Sequence, residues 1–162
     1  MASYQEVKTV GKVRWARVFE GNRDMTGYDN AYVENEGAYT VDQVLSKEEY
    51  DKLVKAGSQK KPKQKHLMDG EIVVKFERKH KVFRKDGTEL PQAGGAPKVT
   101  DAEGNEWTMD TGLLGNDTEA EVTNLVTTFK GSDGKVYSRT TMTAMKIIKH
   151  VPVEEKESET VF

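Results

Sequence analysis

The chain has 162 residues, a formal net charge of −2 and no cysteine, which allows one domain with short appendages and excludes disulfide scaffolds, thiolate metal sites and cysteine nucleophiles. Apolar residues make up 35% and charged residues 32%, so we expect a small core under a heavily charged surface. The longest apolar runs, such as residues 72–74, fall far short of the ~20 residues of a membrane span, and residues 1–6 lack the features of a signal peptide, so we expect a soluble intracellular protein without membrane contact.

A first long strand is predicted over residues 7–19, because apolar side chains alternate there with cationic ones at period two. The alternation puts Val13 and Trp15 on one face of the strand, and Lys12 and Arg14 on the other. A strand with one apolar and one cationic face is half-buried, so the lysines and arginines of this segment are expected at the surface.

A short strand over residues 39–45 leads into one clearly predicted helix. Ser46 is a good N-cap, and Glu49, three residues later, completes a capping box. Leu53 belongs to an apolar face at helical spacing, and Gly57 supplies the stop. The helix is therefore amphipathic and is expected to pack on the strands around it.

The rest of the folded chain is predicted as strands and turns, after a polar connector at residues 58–70. Five or six strands joined mostly by antiparallel hairpins, with one helix between early strands, suit a small closed or nearly closed barrel. The predicted fold class is mainly β, an oligonucleotide/oligosaccharide-binding (OB) barrel, with a β-sandwich as the alternative. The later strands are expected at residues 71–84, 119–129 and 135–150, with a short hairpin in which residues 98–100 and 106–109 flank a turn.

The charge is segregated along the chain. Residues 60–86 hold ten Lys or Arg and four Asp or Glu, whereas residues 151–162 hold four Glu against one Lys. We therefore expect a folded domain over residues 1–150 and a flexible acidic tail over residues 151–162 that ends in an apolar pair. Such a tail has the composition of a linear partner-binding motif, whose candidate residues are Glu154, Glu155, Glu157, Glu159 and Phe162.

Catalytic signatures are absent from the sequence. No nucleophile elbow and no phosphate-binding Gly-Lys-Ser/Thr loop occurs, and the histidines His66, His80 and His150 lie far apart along the chain. Residues 101–105 have some likeness to a calcium loop, but the bidentate glutamate is missing and a turn is favoured. We predict no catalytic residue, no metal, no cofactor and no enzymatic activity.

Basic residues interleaved with aromatic ones on strands are the positive signal. Cations follow phosphates and flat rings stack on bases of any identity, so this pairing is typical of single-strand binding. Each ring leaves two alternatives open, because Trp15 and Phe76 suit a core as well as a stacking platform. The candidate DNA-binding residues are Arg14, Trp15, Arg17, Lys75, Arg78, Lys79, Lys81, Phe83, Arg84, Tyr137 and Arg139.

In their order along the chain, several segments resemble the phage single-stranded-DNA-binding proteins of the Enc34-like type, which are akin to those of short-tailed phages. The segments are VRWARVFE (13–20), YTVDQVL (39–45), LVKAG (53–57), VKFERKH (74–80), APKVTDAEGN (96–105), LGNDT (114–118) and the acidic end of the sequence with its phenylalanine.

The resemblance implies an OB barrel that binds single-stranded DNA without sequence preference during phage replication, recombination and repair, in the host-cell cytoplasm. It also implies that the tail contacts replication partners such as DNA polymerase and primase-helicase. The tail here is shorter and less acidic than the family's tails can be, so self-association into a homodimer is left open. The rival interpretation is a structural or adaptor protein of a virion with a β-sandwich fold.

Overall fold

The computed structural model describes residues 3–90 and 94–153. Within these ranges, six strands form one sheet in the order β3-β2-β1-β5-β6-β4. Three single-turn 3₁₀ helices lie between β1 and β2. The elements are β1 (Ser3–Arg17), β2 (Ala38–Leu45), α1 (Lys47–Lys55), α2 (Gln64–Leu67), β3 (Ile72–Lys79), β4 (Lys98–Asp101), β5 (Thr118–Lys130) and β6 (Val136–Lys149).

Strand β1 is the longest strand and lies in the middle of the sheet, antiparallel to β2 on one side and to β5 on the other. Its inward side chains include Val7, Thr9 and Val13, all buried. Gly11 occupies an inward position where a side chain has no room, because a Cβ there would lie 2.0 Å from the carbonyl oxygen of Val44.

A β-bulge interrupts the alternation of β1 near its C-terminal end. Arg14 pairs with Asp42 and Arg17 pairs with Thr40, so β1 has one residue more than β2 between these two pairs. Since Thr40 and Asp42 are two positions apart on β2, their partners Arg14 and Arg17 share a face of the sheet. Trp15, inside the bulge, has a φ of +54°.

The exposure of Trp15 and Phe76 decides the alternatives that the sequence left open for these two rings. Simple alternation placed Trp15 on the buried face with Val13, but its side chain is 69% exposed. Phe76, on β3, is fully buried. Trp15 is therefore a surface ring and Phe76 a core residue.

Helix α1 begins and ends where the sequence predicted. The Ser46 hydroxyl accepts a hydrogen bond from the backbone N–H of Glu49 at 3.2 Å, and Gly57, with a φ of +96°, follows the last turn. The Glu49 carboxylate does not complete the predicted capping box. It accepts a hydrogen bond from the backbone N–H of Val10 at 2.7 Å, which ties the helix to β1. Leu53 anchors the helix in the core.

Strands β3 and β6 are far apart in the strand order, yet they contact each other, so the sheet is curled into a barrel. The segment after α1 spans the same gap. Its Gln59 backbone N–H donates to the Ser138 hydroxyl at 2.9 Å, and the hydroxyls of Ser58 and Thr140 are hydrogen-bonded at 2.7 Å. The mainly β, OB-type barrel with one principal helix between early strands confirms the predicted fold class and not the β-sandwich. Its core includes Val13, Tyr39, Val41, Val74, Phe76, Val122, Met142 and Met145.

Two predicted strands differ from the structure. The strand expected over residues 71–84 ends at Lys79. The hairpin expected over residues 98–109 forms only a bridge between Thr100 and Glu106, and β4 instead pairs parallel to β6. The Asp101 carboxylate accepts backbone hydrogen bonds from Glu103 and Asn105, both at 2.9 Å, and makes the tight turn that was favoured over a calcium loop.

Two further predictions concern membrane contact and the C-terminal tail. No helix among residues 3–90 and 94–153 is long and apolar enough to cross a membrane. Most of the predicted tail, including its four glutamates and Phe162, lies outside the described residues. The division at residue 150 stays a prediction, although Pro152 forms a bridge with Leu114 and the Val151 carbonyl accepts a hydrogen bond from Gly115 at 2.7 Å.

Candidate nucleic-acid interface

The outer surface of β1, β2 and β3, here called the cationic face, collects many of the predicted site residues. It lies opposite the inward residues Val41 and Phe76, and the strand register defines its rows. One row is Arg14, Asp42 and Lys75; the next is Arg17, Thr40 and Glu77; the third is Ala38 and Lys79.

Three cations on this face are not paired with a carboxylate among the described residues. Arg17 and Lys79 are exposed and make no side-chain hydrogen bond or ion pair there. The Lys75 ammonium lies 5.6 Å from the ring centroid of Tyr32. Tyr32 covers part of the face, and its hydroxyl donates a hydrogen bond to Glu77. Burial, with this bond to Glu77, raises the pKa of Tyr32 above its ordinary range, so the ring stays neutral.

Arg14 points to the same face but is held by two carboxylates. Its Nη1 and Nη2 atoms donate to the two oxygens of Glu71, each at 3.2 Å, and its Nε donates to Asp117 at 3.2 Å. The hydrogen bonds that Arg14 donates to Glu71 raise the pKa of the Arg14 guanidinium and lower the pKa of the Glu71 carboxyl. In this arrangement Arg14 ties β1 to two loops.

Arg78 faces the other way from Lys75 and Lys79. Its Nε and Nη2 atoms donate to the backbone carbonyls of Gly95 and Gly94 at 2.9 and 3.0 Å. Burial lowers the pKa of its guanidinium from the ordinary value. Arg78 therefore holds the loop before β4 against β3.

The remaining predicted residues of the basic segment lie beyond the end of β3. The Lys81 ammonium pairs with Glu36 at 2.9 Å, and the Arg84 guanidinium donates to the Thr88 hydroxyl at 3.3 Å. Phe83 is 40% exposed in the turn that Arg84 closes. The basic segment is thus divided between the cationic face and this separate turn.

A groove of about 700 Å³ opens at the bulge, and Trp15 forms part of its wall. Arg17 and Arg23 line it together with Asn22 and Asn116. Sequence reasoning missed Arg23, which lies in a loop without periodicity. Its guanidinium donates to the backbone carbonyls of Glu20 and Glu36, both at 2.7 Å, so its charge is not compensated by these contacts.

A second aromatic and cationic group, here called the hairpin cluster, lies where β5 turns into β6. Tyr137 stacks on Phe129 with ring centroids 6.1 Å apart, and the Arg139 guanidinium lies 5.7 Å from the Phe129 centroid. The Tyr137 hydroxyl donates to Asp133, and Tyr137 remains 39% exposed. This bond lowers the pKa of the Asp133 carboxyl and raises that of the Tyr137 hydroxyl.

The structure does not bring the predicted residues into one site. They lie on the cationic face with its adjoining groove, around the turn beyond β3, and in the hairpin cluster, while Arg78 faces the other way. The hairpin cluster adjoins the N-terminal end of β1, where Ser3 pairs with Thr128. Arg14 and Trp15 lie near the opposite end of the same strand, about 35 Å away along β1. The described residues contain no group of three or more side chains that could hold a metal ion.

The fold is similar to that of solved structures, among them two bacteriophage proteins. The crystal structure of gp2.5, a single-stranded DNA binding protein encoded by bacteriophage T7, gives a TM-score of 0.60 at 12% identity, covering 98% of this chain and 94% of that chain. A C-terminal truncation of the single-stranded DNA-binding protein from bacteriophage Enc34 gives 0.51 at 11% identity, covering 91% of this chain and 88% of that chain. No protein-family model and no curated protein matches the sequence.

At these identities the likeness establishes the fold. Both comparisons extend over nearly the whole of this chain, so the shared fold includes the barrel and also the helices and loops outside it. The residues that carry a function must be argued from the geometry of this chain.

The Arg14–Glu71 ion pair predicts a specific dependence of stability on pH. Because Arg14 lowers the pKa of Glu71 below its ordinary 4.5, the pair stabilises the fold fully above about pH 4.5 and loses this effect as pH falls through the lowered value. Glu71→Gln should therefore lower the melting temperature at pH 7, and most of that difference should be lost at an acid pH below the lowered pKa of Glu71. Glu103→Gln, in the exposed turn after β4, is the matched control. An equal difference at both pH values for Glu71→Gln would contradict this role of the pair.

Proposed function

We propose that this protein binds single-stranded DNA without sequence preference and is not an enzyme. The observation that carries the proposal is the exposed Trp15, turned outward by a bulge and flanked by arginines, on a barrel shared with two phage single-stranded-DNA-binding proteins. An exposed indole beside guanidinium groups suits base stacking combined with phosphate contact.

The cations fall into two groups, those available to phosphates and those already bound to other groups of the protein. Arg17 and Lys79 have no ion pair among the described residues and can meet phosphates. The Lys75 ammonium lies beside the Tyr32 ring, and Arg23 adds to the groove a charge that its backbone contacts do not compensate. Arg14 and Arg78, which the sequence also suggested as phosphate ligands, are engaged within the protein, and we assign them to holding the scaffold.

The hairpin cluster is proposed as a second contact with the strand. Its stacked rings and Arg139 repeat the pairing of aromatic surface and cation found at Trp15. Because the two groups lie about 35 Å apart along β1, a strand that touches both must be long and extended. The virion-adaptor alternative depended on a β-sandwich, and the barrel removes that basis.

A role in phage DNA replication, recombination and repair, in the host-cell cytoplasm, is part of the proposal. The acidic residues 154–159 and Phe162 are proposed to contact replication partners such as DNA polymerase and primase-helicase. Their composition supports this, since four glutamates and an apolar end suit a basic groove with a pocket. Self-association into a homodimer would need a separate measurement of mass in solution.

Binding should depend strongly on salt. If about five cations contact phosphates, each contributing a slope of roughly −0.7, then raising salt from ~50 to ~200 mM should weaken binding to oligo-dT about a hundredfold. Titrations with oligo-dT, oligo-U and duplex DNA at both salt concentrations measure this and compare the three ligands. The five candidates are Arg17, Arg23, Lys75, Lys79 and Arg139.

Single charge removals refine that test. Lys79→Gln should make the salt slope shallower by about 0.7, because it removes one phosphate contact. Lys47→Gln, on helix α1, removes the same charge from a side chain that is 81% exposed and already paired with Asp51, and should leave the slope unchanged. A wild-type affinity that does not respond to salt would refute the electrostatic contacts.

Trp15→Ala should weaken oligo-dT binding roughly 5- to 150-fold, the equivalent of 1–3 kcal/mol for one stacked base. Because the side chain is 69% exposed, the melting temperature should change little. The quenching of tryptophan fluorescence by oligo-dT should disappear with it. Val54→Ala, which removes an exposed apolar side chain from α1, is the control. Unchanged affinity of Trp15→Ala would exclude Trp15 as a platform, and Phe83→Ala and Tyr137→Ala then test the other two rings.

Truncation after Val153 should leave DNA binding equal or tighter, most visibly at low salt, because it removes an anionic competitor for the cationic face. The cut keeps the contacts that Val151 and Pro152 make with the barrel. Binding to the polymerase or primase-helicase of the same replication system should be lost. Phe162→Ala keeps every glutamate and should weaken only the partner contact. Markedly weaker DNA binding by the truncated protein would place the tail in the DNA site.

A further inference from the structure

We propose that the loop from Gly115 to Asp117 is a positioning element of the DNA site, and that Asn116 holds Trp15 in its outward orientation. This inference rests on the proposed function of Trp15 and adds residues that were not among the candidate DNA-binding residues of the sequence. Asn116 and Gly115 line the same groove as Trp15, yet they lie about a hundred residues further along the chain.

The first contact replaces a missing partner in the sheet. Pairing between β1 and β5 stops at Val13 and Thr118, and the bulge disturbs pairing with β2 just beyond. The backbone N–H of Trp15 donates instead to the Oδ1 atom of Asn116 at 2.9 Å. A side chain thus supplies the acceptor that a neighbouring strand would otherwise provide.

The second contact fixes the residues before the bulge. The Asp117 backbone N–H donates to the carbonyl of Val13 at 2.9 Å, and its carboxylate accepts from Arg14 Nε at 3.2 Å. Asp117 itself has a φ of +74°, a left-handed conformation that aspartate tolerates better than most residues. Three successive residues of β1, from Val13 to Trp15, are therefore held by two residues of one loop.

The loop is anchored on its other side by the chain before the tail. Gly115 donates to the Val151 carbonyl at 2.7 Å, and a Cβ at Gly115 would lie 2.6 Å from that oxygen, so a glycine is needed there. The Thr118 hydroxyl donates to the Gly115 carbonyl at 2.9 Å and accepts from the Val151 N–H at 3.0 Å. Because hydrogen bonds hold this loop both to β1 and to Val151, the loop can keep the strained end of β1 in place.

The strain lies at Trp15. A φ of +54° is uncommon for a bulky residue and persists only where surrounding contacts enforce it. Removing the Asn116 acceptor leaves the Trp15 N–H without its partner and lets the bulge relax. The indole then samples orientations that do not stack, and the affinity for a single strand falls.

A double-mutant cycle tests this assignment. Asn116→Ala should weaken oligo-dT binding about fivefold in the protein that has Trp15, and less than about twofold in the Trp15→Ala background, because coupled residues are not additive. Asn116→Asp keeps the Oδ1 acceptor and should weaken binding equally in both backgrounds through its charge alone. Asn105→Ala, an asparagine in the turn after β4, is the matched control and should change neither. Equal losses for Asn116→Ala in both backgrounds would overturn the proposal.

A second measurement needs no DNA. In a Trp107→Phe background Trp15 is the only tryptophan, and Asn116→Ala should lower the anisotropy of its emission while Asn116→Asp should not. Unchanged anisotropy would overturn the positioning role. If the wild-type protein bound no oligonucleotide, the proposed function would fail, and the anisotropy would still decide whether Asn116 holds Trp15. If Trp107→Phe does not fold, 5-fluorotryptophan labelling with ¹⁹F spectra of the two resolved indoles gives the same readout.

Discussion

One extra residue in the central strand is the constraint on which the candidate site depends. Between Arg14 and Arg17, β1 has one residue more than β2, and this changes which face each following side chain occupies. Without the bulge, strict alternation would put Arg14 outside and Arg17 inside. With it, both arginines face outward, and Trp15 reaches solvent between them. On one side of β1, pairing with β2 continues on both sides of the bulge. On the other side, pairing with β5 ends at Val13, and Asn116 accepts the hydrogen bond from the Trp15 N–H.

The charges on this barrel act in two ways that the net charge of −2 does not distinguish. Arg14, with Glu71 and Asp117, is already compensated, so it contributes to holding loops and little to the field at the surface. Arg17 and Lys79 have no such partner among the described residues, and a phosphate that meets them need not displace a carboxylate. Attraction of an anion therefore depends on the cations that have no carboxylate partner, and a count of all lysines and arginines overstates it.

The sequence predicted the features that local chemistry determines. Period-two alternation located the long strands, and Ser46 with Gly57 located the helix, because caps and pleats act over a few residues. The bulge, the parallel pairing of β4 with β6, and Arg23 were not predictable in this way. They depend on contacts between segments far apart in the sequence. The bulge at Trp15 also contains no glycine that would have marked it in the sequence. The correct choice between core and surface for Trp15 required the register of β2.

The groove shows why a site of this kind is hard to predict from one sequence. Its wall is assembled from residues 15–23, from residues 114–116 and from residues 151–153, three segments that share no motif. The middle segment makes the outer two interdependent, since Asn116 holds Trp15 and Gly115 holds Val151. A change at Val151 can therefore reach Trp15 through the hydrogen bond from the Gly115 N–H to the Val151 carbonyl, one short loop, and the hydrogen bond from the Trp15 N–H to Asn116 Oδ1. The positions of Trp15 and of residues 151–153 are consequently set by the same few contacts.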